Sequence, residues 1–123
     1  MKEFAAEILE PLNITYSFEG DARLEQLKLD LNKRKNLYLV FKEAINNAAK
    51  YSCCTQVDIQ LGFDEKIICL FVKDNGKGFN LEQTRAGNGL RNMHERARAI
   101  RAELEIDSSI GNGTAVHLKL PTT

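Results

Sequence analysis

The 123-residue sequence predicts an α/β domain. Three observations carry this. Residues 34–52 hold an apolar stripe at helical spacing. Val57, Ile59, Leu61 and Phe63 then alternate like a strand, and the continuous apolar run Ile67 to Val72 reads as a buried one. A second helical pattern and two further strand patterns complete the chain.

Each element has its own signal. Residues 2–11 read as a short helix ended by Pro11, which has no N–H to extend it. Ile14, Tyr16 and Phe18 alternate as a strand, and Glu19-Gly20-Asp21 is a turn. Residues 22–32, with leucines at 24, 27 and 31, suit a poor helix or an irregular link. In the strongest helix, Leu37, Phe41, Ala44, Ala48 and Tyr51 recur at spacings of four and three. Val57–Phe63 and Ile67–Val72 are expected to pair as a hairpin about an Asp64-Glu65 turn. Residues 80–88 are polar and contain Gly87, as a mobile loop would. Leu90, Met93, Ala97 and Ile100 mark the second helix. Leu104 to Asp107 and Ala115 to Leu120 are the last strands, joined through Ser108-Ser109-Ile110-Gly111-Asn112-Gly113. No repeat or low-complexity segment interrupts the pattern.

Composition narrows the function classes. The length fits one domain with a single core. The formal net charge is zero, which disfavours nucleic acid or anionic lipid as a partner. No apolar run approaches the roughly 20 residues of a membrane span, and the N-terminus does not read as a signal peptide. Cys53, Cys54 and Cys69 lack metal-type spacing and read as reduced thiols. An amphipathic pattern (Phe4, Ile8, Leu9, Leu12) stands at the very start, so the chain suits either a small protein or a piece of a larger one.

The chemistry lies in three short segments. At about 100° per residue, Glu43, Asn47 and Lys50 fall within roughly 60° of one another beside the apolar stripe. A solvated helix face predicts mixed charges there, but it does not call for an asparagine, a poor helix former, at the centre. Asn47 offers a neutral oxygen suited to Mg²⁺, Lys50 can reach a phosphate, and Glu43 can orient or deprotonate an attacking group. Asp74 ends the buried strand, where a carboxylate can accept a hydrogen bond from an exocyclic amine such as the N6 of adenine. Gly76 and Gly78 let a flat ring approach the backbone, although Asp-Asn-Gly-Lys-Gly is equally a good turn sequence. Gly87-Asn88-Gly89 precedes the second helix, where free amides attract phosphate; a plain turn with Asn88 as cap is the alternative. Arg91, Arg96, Arg98 and Arg101 make that helix basic, mostly as a solvated face. His94 and His117 have no Ser or Cys plus carboxylate arrangement and read as ordinary surface or core histidines. The glycines fit neither a P-loop nor a Rossmann fingerprint.

Together these segments resemble a known family. Glu43-Ala44-x-x-Asn47-x-x-Lys50-Tyr51 resembles the N box of the gyrase/Hsp90/histidine kinase/MutL (GHKL) ATPase superfamily. Asp74-x-Gly76-x-Gly78-Phe79 resembles its G1 box, Gly87-x-Gly89-Leu90 its G2 box, and Gly111-x-Gly113-Thr114 its late glycine segment. Gly89-Leu-Arg-Asn-Met-His-Glu-Arg-Ala97 resembles sensor histidine kinases of the NarX/DesK type, which also share the short lid between G1 and G2. The resemblance covers about residues 35–121, the core of a single domain spanning 1–123.

The resemblance implies a Bergerat fold, an α/β two-layer sandwich with a mixed, mostly antiparallel sheet and helices on one face. It implies ATP and Mg²⁺ as cofactors. Asn47 would hold the metal, Asp74 would recognise adenine, and Lys50 and Tyr51 would line the nucleotide site. Glu43 and Lys50 would be the catalytic side chains, with Glu43 handling a proton or water. Gly76, Gly78, Gly87 and Gly89 would shape the pocket and lid, with Phe79, Leu90 and Thr114 also against nucleotide. Three departures stand out. Tyr51 replaces a histidine common in relatives, Arg101-Ala102 replaces a Gly-Gly turn that is therefore expected to differ, and no His-Asp or His-Glu phosphoacceptor helix is present.

The resemblance thus implies the catalytic domain of a two-component sensor histidine kinase, without its dimerisation and phosphoacceptor domain. It would pass the γ-phosphoryl group of ATP to a histidine on a separate domain of the same kinase, from which a response regulator would take it. Little autophosphorylation is expected from the domain alone. The domain would be cytoplasmic, within a dimeric parent that the inner membrane could anchor. An anti-sigma-factor-type serine kinase of the same fold and a non-catalytic adaptor are the rival readings.

Overall fold

The computed structural model describes residues 1–51, 53–78 and 88–122. Phe79, Gly87 and nearly all of the expected loop 80–88 lie outside them. The chain runs α1 (Lys2–Leu9), β1 (Thr15–Gly20), α2 (Leu31–Tyr51), β2 (Gln56–Asp64), β3 (Ile67–Asp74), α3 (Asn88–Ala99), β4 (Glu103–Ser108) and β5 (Thr114–Pro121). Pro11 sits in a 3-10 turn over Glu10–Leu12, and Asn13 (φ 59°, ψ 31°) takes the left-handed conformation that asparagine tolerates, turning the chain into β1.

The long helix starts earlier than its apolar stripe suggests. The Asp30 carboxylate accepts the Lys33 N–H at 2.9 Å and so caps α2 from outside the stripe. The link before it is not wholly irregular. Ala22–Gln26 forms a 3-10 helix whose first turn is closed by Asp21, which accepts the Arg23 N–H at 2.9 Å.

Among the described residues, five strands lie in the order β1-β2-β3-β5-β4. β1 pairs parallel with β2, and the other pairs are antiparallel. A parallel pair needs a crossover, which α2 supplies. The β2–β3 hairpin turns one residue later than expected. Asp64 still pairs with Ile67, leaving Glu65 and Lys66 at φ 48° and 67°. Positive φ at both central residues is the type I′ geometry that matches strand twist.

Strand parity puts one face of the sheet in the core. Val57 and Ile59 of β2, Ile68, Leu70 and Val72 of β3, and Val116, Leu118 and Leu120 of β5 are buried. They pack with Val40, Phe41, Ala44, Ile45 and Ala48 of α2, Met93 and Ala97 of α3, and Leu9 of α1. Burial of each large apolar side chain contributes about 1.5–3 kcal/mol. The opposite face carries Ser17, Gln60, Lys73, Lys119 and Glu103, all exposed. The result is the α/β two-layer sandwich with a mixed sheet and helices on one face.

The turn after α3 keeps a regular backbone without glycine. Ala102 N–H donates to Ala97 O at 2.9 Å and Arg101 N–H to Arg98 O at 3.1 Å, with Arg101 at φ 58°. This is the Schellman pattern, with arginine where glycine is preferred. Among the described residues, no helix is long and apolar enough to cross a membrane.

Candidate functional site

Asp74 is the last residue of β3. Its parity is that of Ile68, Leu70 and Val72, so its side chain points to the helix-covered face and is only 6% exposed. A carboxylate taken from water needs hydrogen bonds there. Its Oδ1 accepts the Gly76 N–H at 2.8 Å and the Thr114 N–H at 3.3 Å. Burial nevertheless raises its pKa above the ordinary 3.8, against the lowering pull of those two amides and of Lys73. A buried acid with a raised pKa at the mouth of a sheet is a binding-site signature.

Two loops meet around this carboxylate. One follows β3 and the other joins β4 to β5, and β3 and β5 are neighbours in the sheet. Gly111 N–H donates to Lys77 O at 2.6 Å. A Cβ on Gly78 (φ 65°) would stand 2.1 Å from Ser109 O, and one on Gly113 (φ 74°) would stand 2.2 Å from Asp74 O. Both positions therefore require glycine on two counts, conformation and contact. Ser108 Oγ lies 2.8 Å from Thr114 Oγ1, pinning the start of β5 where its amide meets Asp74.

The polar row of α2 forms the other half. α2 packs on β3 and on α3. Glu43 and Asn47 are half-buried on it and Lys50 is exposed, while Ala44, Ile45 and Ala48 beside them are buried. The row thus edges the core, as the helical spacing predicts. Tyr51 is the last residue of α2. Gly89 and Leu90 lie in the first turn of α3, which already begins at Asn88. Asn88 is thus the first helical residue and not the cap expected there. Phe79 and Gly87 are outside the described residues.

The histidines stay apart from this site. His94 is exposed on α3, and His117 faces the open side of the sheet, edge-on to Phe71 at 5.8 Å. Cys53 and Cys69 are free thiols, and the Cys54 thiol donates to Ala48 O at 3.4 Å. Sequence reasoning passed over Asn75, whose side chain makes three hydrogen bonds to the start of β2. Its signal was an asparagine directly after a strand-ending aspartate, which reads as turn chemistry alone.

Comparison with known proteins agrees with this fold. Residues 32–123 match the family described as Histidine kinase-, DNA gyrase B-, and HSP90-like ATPase. Sensor histidine kinase LiaS of Bacillus subtilis is 30% identical over 122 residues, covering 98% of this chain and 34% of the relative. Sensor protein VraS of Staphylococcus saprophyticus is 36% identical over 99 residues, covering 80% and 28% respectively. Sensor histidine kinase YdfH of Bacillus subtilis is 38% identical over 105 residues, covering 82% and 26%. The chain spans about a third or less of the length of these relatives. Among solved structures, the histidine kinase domain of the Erythrobacter litoralis EL346 blue-light activated histidine kinase aligns with a TM-score of 0.82. That alignment covers 98% of this chain and 57% of the other at 17% identity, so it speaks for the fold alone. A family match over most of the chain and the two-layer fold converge: the chain belongs to the histidine kinase-, DNA gyrase B- and HSP90-like ATPase family, as an ATP-binding domain.

Proposed function

We propose that this domain binds Mg²⁺-ATP and passes its γ-phosphoryl group to a histidine on a separate domain of the same kinase. A response regulator aspartate would then receive that group. The buried carboxylate of Asp74 is the observation that supports the reading best. Its Oδ1 is held by two backbone amides, which fixes the group's direction, and the glycine-lined loops keep side chains away from it.

The residues fit the nucleotide and its metal. A buried acceptor suits the amino edge of adenine, and the exposed Lys50 ammonium suits phosphate. Asn47 supplies a single neutral oxygen, which suits Mg²⁺, a hard cation that takes its remaining ligands from water and phosphates. When bound, the metal would neutralise charge on the phosphates during transfer. Glu43, one helical turn before Asn47, would accept the proton carried by the other ring nitrogen of the imidazole as the attacking nitrogen's lone pair forms the P–N bond and ADP leaves. Gly76, Gly78, Phe79, Gly87, Gly89, Leu90, Tyr51 and Thr114 would complete the nucleotide site. Positioning and charge neutralisation, not covalent chemistry by the protein, would supply the acceleration.

The relatives are named as sensor histidine kinases and sensor proteins, which does not favour the serine-kinase or adaptor readings. We place the domain in the cytoplasm of a dimeric, membrane-anchored parent, as the resemblance to sensor histidine kinases implies. The test is transfer in trans. The chain is incubated with ATP labelled at the γ-phosphate and a separate domain bearing a His-Asp or His-Glu helix. Acid-labile label on that partner is expected. Label that accumulates on His94 or His117, or acid-stable label on a serine of an antagonist protein, would contradict the reading.

A further inference from the structure

The two halves of the site belong to different parts of the chain. Asp74 closes β3, and the Glu43-Asn47-Lys50 row sits on α2, whose end leads through residues 53–55 into β2. The β2–β3 ladder stops at the pair Val57 and Asp74. Beyond that point Asn75 continues the connection by other means. Its Oδ1 accepts the N–H groups of Thr55 at 2.9 Å and Gln56 at 3.0 Å. Its Nδ2 donates to Thr55 Oγ1 at 2.9 Å, and its own N–H donates to Gln56 O at 3.2 Å. The side chain thus acts as an extra rung, tying the residue after Asp74 to the segment that leaves α2.

We propose that Asn75 is a positioning residue that sets the spacing between the Asp74 carboxylate and the phosphate-side row of α2. The inference rests on the nucleotide-binding reading. Adenosine alone would use the Asp74 half, whose own hydrogen bonds to Gly76 and Thr114 do not involve Asn75. A triphosphate would use both halves at once. Loosening the rung therefore weakens ATP more than adenosine.

The test compares dissociation constants of the full chain for adenosine and for ATP with Mg²⁺. Asn75→Ala removes three side-chain hydrogen bonds at an exposed position. We expect ATP to weaken about tenfold and adenosine less than about twofold. Asn75→Asp can still accept both amides and take the Thr55 hydroxyl proton, so it should recover most of the ATP affinity. Thr55→Val cuts only the hydroxyl contact; it should shift ATP about twofold to threefold, with the same selectivity, and serves if Asn75→Ala does not fold. Equal weakening of both ligands, or no change in either, would overturn the proposal. A wild-type chain that binds neither ligand would overturn the nucleotide reading itself, a result distinct from a wild type that binds both and a variant that fails to discriminate.

Discussion

Replacing Gly113 by alanine tests the interlocked loops directly. The residue holds φ 74°, and an added Cβ would stand 2.2 Å from Asp74 O and 3.1 Å from Asp74 C. The left-handed conformation alone costs an L-residue about 1–2 kcal/mol. The clash is with backbone, so no side chain can swing aside; overpacking of this kind adds about 1–3 kcal/mol. A total near ~3 kcal/mol is expected. Gly111 is the internal control, because it has φ 87° but open space within 4 Å of its Cβ. Gly111→Ala should therefore cost only the conformational part, about 1–2 kcal/mol. Urea unfolding gives both values from the midpoint and slope. Nucleotide binding should also weaken more in Gly113→Ala, since the shift carries the Thr114 amide away from Asp74. If the two variants lose equal stability, the close contact is not what demands glycine at 113.

Two other outcomes follow from the same coordinates. Arg101→Gly should stabilise the domain by about 1 kcal/mol in thermal or urea unfolding, because the Schellman turn places position 101 at φ 58°, where glycine avoids the Cβ penalty. Acidification should weaken adenine-nucleotide binding from a pH above 3.8, since burial raises the Asp74 pKa and recognition of an amine needs the ionised form. Folding responds to this group with the opposite sign. In the window between 3.8 and the raised value the folded chain binds more protons than the unfolded one, so this group's contribution to stability falls as pH rises. Following both binding and unfolding across acidic pH checks the pair of signs, and Asp74→Asn should flatten both.

Much of this was legible in the sequence because it is periodic. The α2 stripe, the alternation in β2 and the unbroken run of β3 gave the helix, the hairpin and the buried strand. Asp74 could be singled out because a charged residue ending an apolar strand is locally anomalous. Features set by single capping or turn residues were harder. Asp30 caps α2 from outside the apolar pattern, so the periodicity starts the helix three residues late. The sequence places the hairpin turn at Asp64-Glu65, but its type I′ geometry falls on Glu65-Lys66, residues that carry no turn preference. The interlock of Gly78 with Ser109 and of Gly113 with Asp74 joins segments 31 and 39 residues apart, and no local pattern encodes such contacts. Asn75 was hidden for the same reason, since its partners lie 19 and 20 residues upstream.

The central claim is that the Asp74 carboxylate selects the adenine nucleotide. Calorimetric titration of the wild type and Asp74→Asn with ATP and Mg²⁺ addresses it most directly. Asparagine keeps an oxygen for the Gly76 and Thr114 amides and removes a charge that burial disfavours, so the variant should unfold at or above the wild-type temperature. It should nevertheless show no binding heat where the wild type shows a saturable one. A variant that binds ATP as tightly as the wild type would contradict the account.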